Sequence, residues 1–378
     1  MANSFLHDEM LKLSIPGPSR DPVYYISDGN TVLLVDNTLF KVHRSILMKD
    51  KSAFEAMFQL TTETESARSD CSMTVTEGDS DDNPIRLQGD SADEFRALLW
   101  ALYALPHELM LAMTSEANST QLVNLARMAH KYQFRHIETW VLGALHGYYS
   151  RAGAFDAIQA TSPPTLPGPT HTSSPLAHEA PSLVQITELA ALCERPDLLE
   201  LALARWKKII GDGKDLALAI VTAERLNLRP ILGLAYHAMM LKGRAHWELE
   251  PMLTRDQRVR LLSGYHALTK MWEALPGQPP PIAHNARCTS QQRCAKLWGL
   301  LWKAVLERGT EVIPGLQKED VLAKLTAAEN MVKVLVEDSQ LQSIVDGLPH
   351  CKESALMVTR LRVREFKETL TDYFADDF

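Results

Sequence analysis

Two apolar rhythms divide the chain. Strand-like runs occur early, where Thr31-Val32-Leu33-Leu34-Val35 and Thr38-Leu39-Phe40-Lys41-Val42 flank a polar Asp36-Asn37 pair. Asp and Asn tolerate the positive φ of tight turns, so this spacing predicts a β-hairpin. The period then lengthens: Ile46, Leu47, Phe54, Met57 and Phe58 fall at helical intervals within Ser45 to Leu60, predicting one or two short amphipathic helices. A short strand over Pro84 to Leu87 follows. After it, Gly89-Asp90-Ser91 breaks the pattern, and Ser91 or Asp90 can cap a helix carrying Phe95, Leu98, Leu99, Leu102 and Tyr103 on one face.

From Gln121 onward the pattern is almost entirely helical. Three segments share a spacing: Ala129-x-x-Tyr132-x-Phe134-x-x-Ile137, Ala190-x-x-Cys193-x-Arg195-x-x-Leu198 and Ala223-x-x-Leu226-x-Leu228-x-x-Ile231. Each reads as a helix end, a tight polar turn and a new helix with an apolar anchor, an αα-hairpin in which the small Ala permits close approach. Two Pro-rich stretches interrupt the helices, 161–182 as a linker and 275–287 as a loop.

Several of these motifs, taken in order, carry a family likeness. Val35-x-x-x-Leu39-Phe40-x-Val42-His43-Arg44-x-Ile46-Leu47 followed by Ser52-x-Phe54-x-x-Met57-Phe58 resembles the signature of BTB/POZ domains, and the later Pro84-Ile85-x-Leu87, Glu94-Phe95 and Leu122 to Tyr132 segments are similar to that family's later strand and helices. The resemblance implies an α+β domain of short strands flanked by helices, with Phe40, Val42, His43, Arg44, Leu47, Ser52, Phe54 and Phe58 as its signature positions. The expected organisation is a tail over 1–21, a BTB/POZ-like domain over 22–150, and the linker. An all-α region follows, with BACK-like αα-hairpins over 183–274, the Pro-rich loop, and further helices over 288–378. An acidic segment together with Cys193-Glu194-Arg195-Pro196 is similar to the expanded BTB families of mushroom-forming (basidiomycete) fungi.

The resemblance further implies protein partners: a homodimer, a hetero-BTB pair, or a cullin scaffold for which the chain would be a ubiquitin-ligase adaptor. In the family the basic residue after the strand can pair with an Asp near the first strand. Here Asp28 and Asn30 are the candidates, with Asp28 four residues ahead of Val32 and so poorly placed. The adaptor subset often carries an apolar-x-Glu element, whereas Leu105-Pro106-His107-Glu108 has one residue more. Ile15-Pro16-Gly17-Pro18 also disfavours a continuous N-terminal strand, because Pro removes ladder donors.

Charge narrows the classes. The formal charge is −8, and segment 61–83 places seven acidic residues against Arg68, a net −6 of that total. A phosphate-binding surface needs clustered Lys and Arg, so direct nucleic-acid binding is not expected. Within the segment, Asp79, Asp81 and Asp82 are candidates for an acidic docking loop, although a solvated loop is the plainer reading. Five scattered cysteines do not form a secreted disulfide framework, and no apolar window suits a membrane span, so a reduced compartment, cytoplasm or nucleus, is expected.

Catalytic patterns are missing from the text. Gly211-Asp212-Gly213-Lys214 is too short for a phosphate loop and reads as a helix end; His107-Glu108 lacks the second His of a zincin; there is no Gly-x-Ser-x-Gly elbow. No cofactor is expected, and an enzyme in the helical half remains a remote alternative. One set of soft ligands stands out: Cys288 and Cys294, with His284 before and Cys351 far after. The Cys-x5-Cys interval is wide for zinc and Cys294 opens an apolar helix, so buried structural cysteines are the expectation. Trp298 and Trp302, one helical turn apart, read as anchors to a core rather than as a pocket floor with Trp272. A last helix carrying Leu356, Leu361, Phe366, Leu370 and Phe374 is expected to pack on its own domain. An interaction protein, with transcriptional co-regulation through partners as the alternative, is the function this pattern implies.

Overall fold

The computed structural model describes residues 17–66, 77–151, 153–155, 180–312, 315–337, 348 and 351–375. The chain divides between Ala202 and Leu203 into two compact units. Most of the expected linker and tail, with Cys71, Ile15 and Pro16, lie outside the described residues.

The first unit is built on a four-stranded sheet of order β1-β3-β2-β4. Strands β2 (Thr31–Val35) and β3 (Thr38–Val42) form the expected hairpin, antiparallel with Val35 opposite Thr38. Asp36 takes the turn's left-handed conformation, with φ of 53°. All five residues of β2 are buried, which explains its unbroken apolar run: an inner strand covered on both faces does not alternate. Strand β4 (Ile85–Leu87) runs parallel to β2 along one edge. At the other edge lies β1 (Ser19–Tyr25), which pairs parallel with β3 and starts inside the expected tail. Pro22 interrupts β1's ladder, whose register slips between Arg20 and Tyr25; an edge strand tolerates that loss.

Helices then cover the sheet. A single turn, α1 (Arg44–Leu47), leads through a tight bend into α2 (Ala53–Ser66). After β4 come α3 (Ala92–Tyr103), α4 (Pro106–Leu111), α5 (Ser119–Lys131), α6 (Arg135–Tyr149) and α7 (Leu183–Leu192). Ser91 caps α3: its hydroxyl accepts from the Glu94 amide while the Glu94 carboxylate accepts from the Ser91 amide. The signature apolar residues are this unit's core. Phe40, Val42, Leu47 and Phe54 are fully buried, Phe40 meets Phe95 edge-on at 4.9 Å, and Phe54 stacks on Tyr132 at 4.4 Å. Buried Ser52 donates to the Leu47 carbonyl, closing the bend between α1 and α2.

The three repeated segments close in the same way. Phe134 donates its amide to the Ala129 carbonyl at 2.8 Å, Arg195 to Ala190 at 2.9 Å, and Leu228 to Ala223 at 2.8 Å. The residue before each donor is left-handed: Gln133 at 61°, Glu194 at 50°, Asn227 at 52°. These are Schellman-type helix ends, in which a backbone bond spanning five residues satisfies an orphan carbonyl and turns the chain into the next helix. A fourth instance escaped the sequence pattern: Lys214 donates to Ile209 at 3.1 Å after left-handed Gly213.

The second unit takes up α8 (Pro196–Gly211), which crosses the division, and continues with α9 (Leu216–Arg225), α10 (Arg229–Leu241), α11 (Arg244–Leu249), α12 (Arg255–Ala274), α13 (Gln291–Val312), α14 (Val321–Glu337) and α15 (Lys352–Thr369). A 3-10 segment, Leu370–Phe374, packs on α10 and α12. There Phe374 stacks on Tyr236 at 5.2 Å, and Thr371 donates to the Arg229 carbonyl at 3.1 Å. Two glycines admit it: a Cβ on Gly233 would lie 2.6 Å from the Thr371 nitrogen, and one on Gly264 would lie 2.1 Å from the Phe374 ring. Leu356, Phe366, Leu370 and Phe374 are buried as expected, whereas Leu361 is 45% exposed and belongs to the polar face.

Two predictions follow from these contacts. Gly264→Ala is expected to cost the second unit about 1–3 kcal/mol by overpacking against Phe374. In denaturant titrations, the cost should shrink when Phe374→Ala is combined with it, whereas simple additivity would disprove the clash. At the helix ends, Glu194→Gly and Gln133→Gly are expected to stabilise by about 0.5–1 kcal/mol, with a smaller gain for Asn227→Gly because Asn tolerates the left-handed region. Equal or negative effects at all three sites would show that the left-handed turn carries no strain.

Candidate functional site

The junction between β3 and α1 gathers several polar groups. Gly29 makes this arrangement sterically accessible: a Cβ there would lie 2.9 Å from the backbone of Lys41 and Val42, so only glycine lets the 28–30 segment lie against β3. As a result Asp28 Oδ2 comes 3.4 Å from His43 Nε2, and Asn30 Oδ1 accepts from the Arg44 amide at 2.8 Å. The pairing that looked poorly placed in sequence is therefore made, because the residues between Asp28 and β2 fold back instead of extending. Tyr103, at the end of α3, accepts from the His43 amide at 3.0 Å, and its oxygen also lies 3.0 Å from His43 Nδ1. Arg44 stacks over Phe58 at 4.2 Å. His43 thus locks a strand-to-helix turn, a structural duty with every polar atom engaged.

A second polar anchor was not foreseen. The Asp21 side chain is fully buried and accepts from the Val23 and Tyr24 amides at 3.0 and 2.8 Å and from Arg96 Nε at 2.7 Å. The only textual hint is Asp21-Pro22, a turn-forming dipeptide.

The acidic candidates separate. Asp81 is engaged: its carboxylate accepts from Arg20 at 2.7 Å and from the Tyr25 hydroxyl at 2.5 Å, tying the loop to β1. The Tyr25 hydrogen bond first, then Arg20, hold its carboxyl below the ordinary carboxylate range. Asp79 and Asp82 face solvent.

The element after α3 exposes apolar side chains instead. Leu105, Met110, Leu111 and Met113 are 59, 71, 53 and 53% exposed. Glu108 is turned inward along the chain, its carboxylate accepting from the Leu105 amide at 2.7 Å to cap α4.

In the second unit the scattered soft ligands converge. One donor atom each from His284, Cys288, Cys294 and Cys351 lies within 4.8 Å of the others. Cys288 Sγ and Cys351 Sγ are each 3.7 Å from His284 Nδ1. Cys294 and Cys351 are buried, and burial followed by the neighbouring thiols pushes Cys294 up to about 12. No tight local motif gathers these side chains; the fold collects them from the Pro-rich loop, its exit and two helix starts. Neighbouring His350 lies outside the described residues. Trp298 and Trp302 are core anchors, as their spacing implied, and they also fasten the Pro-rich loop: their indoles donate to the Pro280 carbonyl at 2.7 Å and the Leu275 carbonyl at 2.9 Å. Trp272 instead lies 3.8 Å beneath the ammonium of buried Lys324, whose pKa burial lowers to about 8. A smaller grouping in the first unit joins His130, Glu138 and Cys193. There Glu138 Oε1 is 2.8 Å from His130 Nδ1, and burial first, then Glu138, push Cys193 up to about 12.

A mixed sheet with a buried hairpin and helices packed over it is the α+β architecture of a BTB/POZ fold. Residues 28–145 match the family model of the BTB/POZ domain, and the first unit contains such a domain. No curated protein and no solved structure matches the chain. BTB/POZ domains are interaction modules rather than catalytic ones. Among the described residues, no helix is long and apolar enough to cross a membrane.

Because Asp21 makes three charge-assisted or amide bonds in a dry setting while Arg96 is partly solvated, Asp21→Ala is expected to destabilise the first unit by about 2–3 kcal/mol. Thermal or urea unfolding would measure it, and a loss below about 0.5 kcal/mol would refute the anchor role.

Proposed function

We propose that the chain is an adaptor in the cytoplasm or nucleus, its BTB/POZ domain docking on a cullin-type ubiquitin-ligase scaffold while its BACK-like helical half presents a surface to a substrate protein. The exposed apolar side chains of Leu105, Met110, Leu111 and Met113 carry this reading. Four such residues within and beside α4 are a cost in water that a partner's apolar surface would relieve. With Glu108 committed to its own helix cap, the contact would be apolar rather than acidic at that position. The BTB/POZ domain and the αα-hairpins after it support the same assignment.

The full-length protein and a cullin N-terminal domain, mixed and run on size exclusion with light scattering over a dilution series, test it. A complex should form with the wild-type chain and weaken at least about tenfold for Met110→Glu combined with Leu111→Glu. Absence of a complex would eliminate the cullin reading and leave transcriptional co-regulation through other partners. Self-association abolished by the same pair of substitutions would assign the face to a second BTB domain.

A further inference from the structure

We infer that His284, Cys288, Cys294 and Cys351 form a structural zinc site of the Cys3His type. The geometry fits the ion. Zinc bonds of about 2.3 Å to sulfur and about 2.0–2.1 Å to nitrogen give a tetrahedron whose S–N edge is about 3.6 Å and whose S–S edge is about 3.8 Å. The Cys288 and Cys351 sulfurs each lie 3.7 Å from His284 Nδ1, and all four donor atoms fall within 4.8 Å of one another, so modest contraction completes the tetrahedron. Hydrogen bonding explains the cluster less well. A neutral imidazole Nδ1 has one lone pair, yet two thiols approach it equally, and a thiol is a weak donor.

The ligands are also carried by fixed elements. His284 and Cys288 lie on the Pro-rich loop and its exit, fastened by the indoles of Trp298 and Trp302. Cys294 sits in the first turn of α13, Cys351 immediately precedes α15, and both are buried. Binding would release three thiol protons to solvent and place one dication among three thiolates and a neutral imidazole. With four protein ligands no position is left for substrate, which marks the site as structural. The His130–Glu138–Cys193 grouping is different: one carboxylate answers both neighbouring donors, and no ion is needed.

The full chain, purified under reducing conditions without added metal or chelator, should carry about one zinc per molecule by elemental analysis. Cys288→Ser and His284→Ala, at partly exposed positions, should fall to near zero while retaining the wild-type far-ultraviolet circular dichroism; Cys193→Ser should keep its zinc. Cobalt added to the chelated, reduced protein should produce the intense visible bands and thiolate charge-transfer absorption of tetrahedral coordination, with binding more than about 100-fold weaker in Cys288→Ser. A metal-free wild-type chain that also gives no charge-transfer band with cobalt overturns the proposal. So does zinc content unchanged in both His284→Ala and Cys288→Ser.

Discussion

A backbone bond from a buried alanine's carbonyl to an amide five residues on governs much of this protein's helical architecture. The bond requires one residue per turn in the left-handed region, and this chain supplies Gln133, Glu194 and Asn227 where glycine would be cheapest. Each is exposed, so the strain falls where side-chain size matters least. The residue following it faces inward in two of the three, Phe134 fully buried and Leu228 nearly so, while Arg195 stays partly exposed on Asp197. Helix direction, core anchoring and close helix approach are set together by five or six residues.

That economy explains what could be read in advance. The hairpin, the capped α3 and the αα-turns are local, each specified by neighbours in sequence, and their textual signals were sufficient. The ordered signature of the BTB/POZ domain was legible for the same reason: most of its residues are core positions whose spacing is dictated by β3, α1 and α2. Strand β1 corrects the expectation drawn from Ile15-Pro16-Gly17-Pro18: it begins just after those prolines, and its edge position accommodates the donor that Pro22 lacks.

The groups with chemical potential were harder to read, since long-range geometry assembles them. Asp28 reaches His43 only because Gly29 lies flat on β3, which no spacing rule expresses. Cys351 joins Cys294 by way of two helix pairings, α13 with α14 and α14 with α15, that bring distant parts of the sequence to one point. Within the acidic segment Asp81 is consumed by Arg20 and Tyr25, whereas Asp79 and Asp82 face solvent. The apolar surface around Met110 has no mark in the Leu105-Pro106-His107-Glu108 spacing, because side-chain exposure is set by packing and not by local sequence.

The 3-10 segment over Leu370–Phe374 has a consequence for how the second unit is made. It fills the gap between α10 and α12 through contacts such as Thr371 with Arg229, which are 142 residues apart in sequence. The space it enters is kept open by Gly233 and Gly264, so helices synthesised early wait with an unfilled cleft until this late segment leaves the ribosome. The first unit also joins distant segments, Arg96 to Asp21 across 75 residues, but the second must bring residues 370–374 back to α10 across 142, and closure over such separations slows folding.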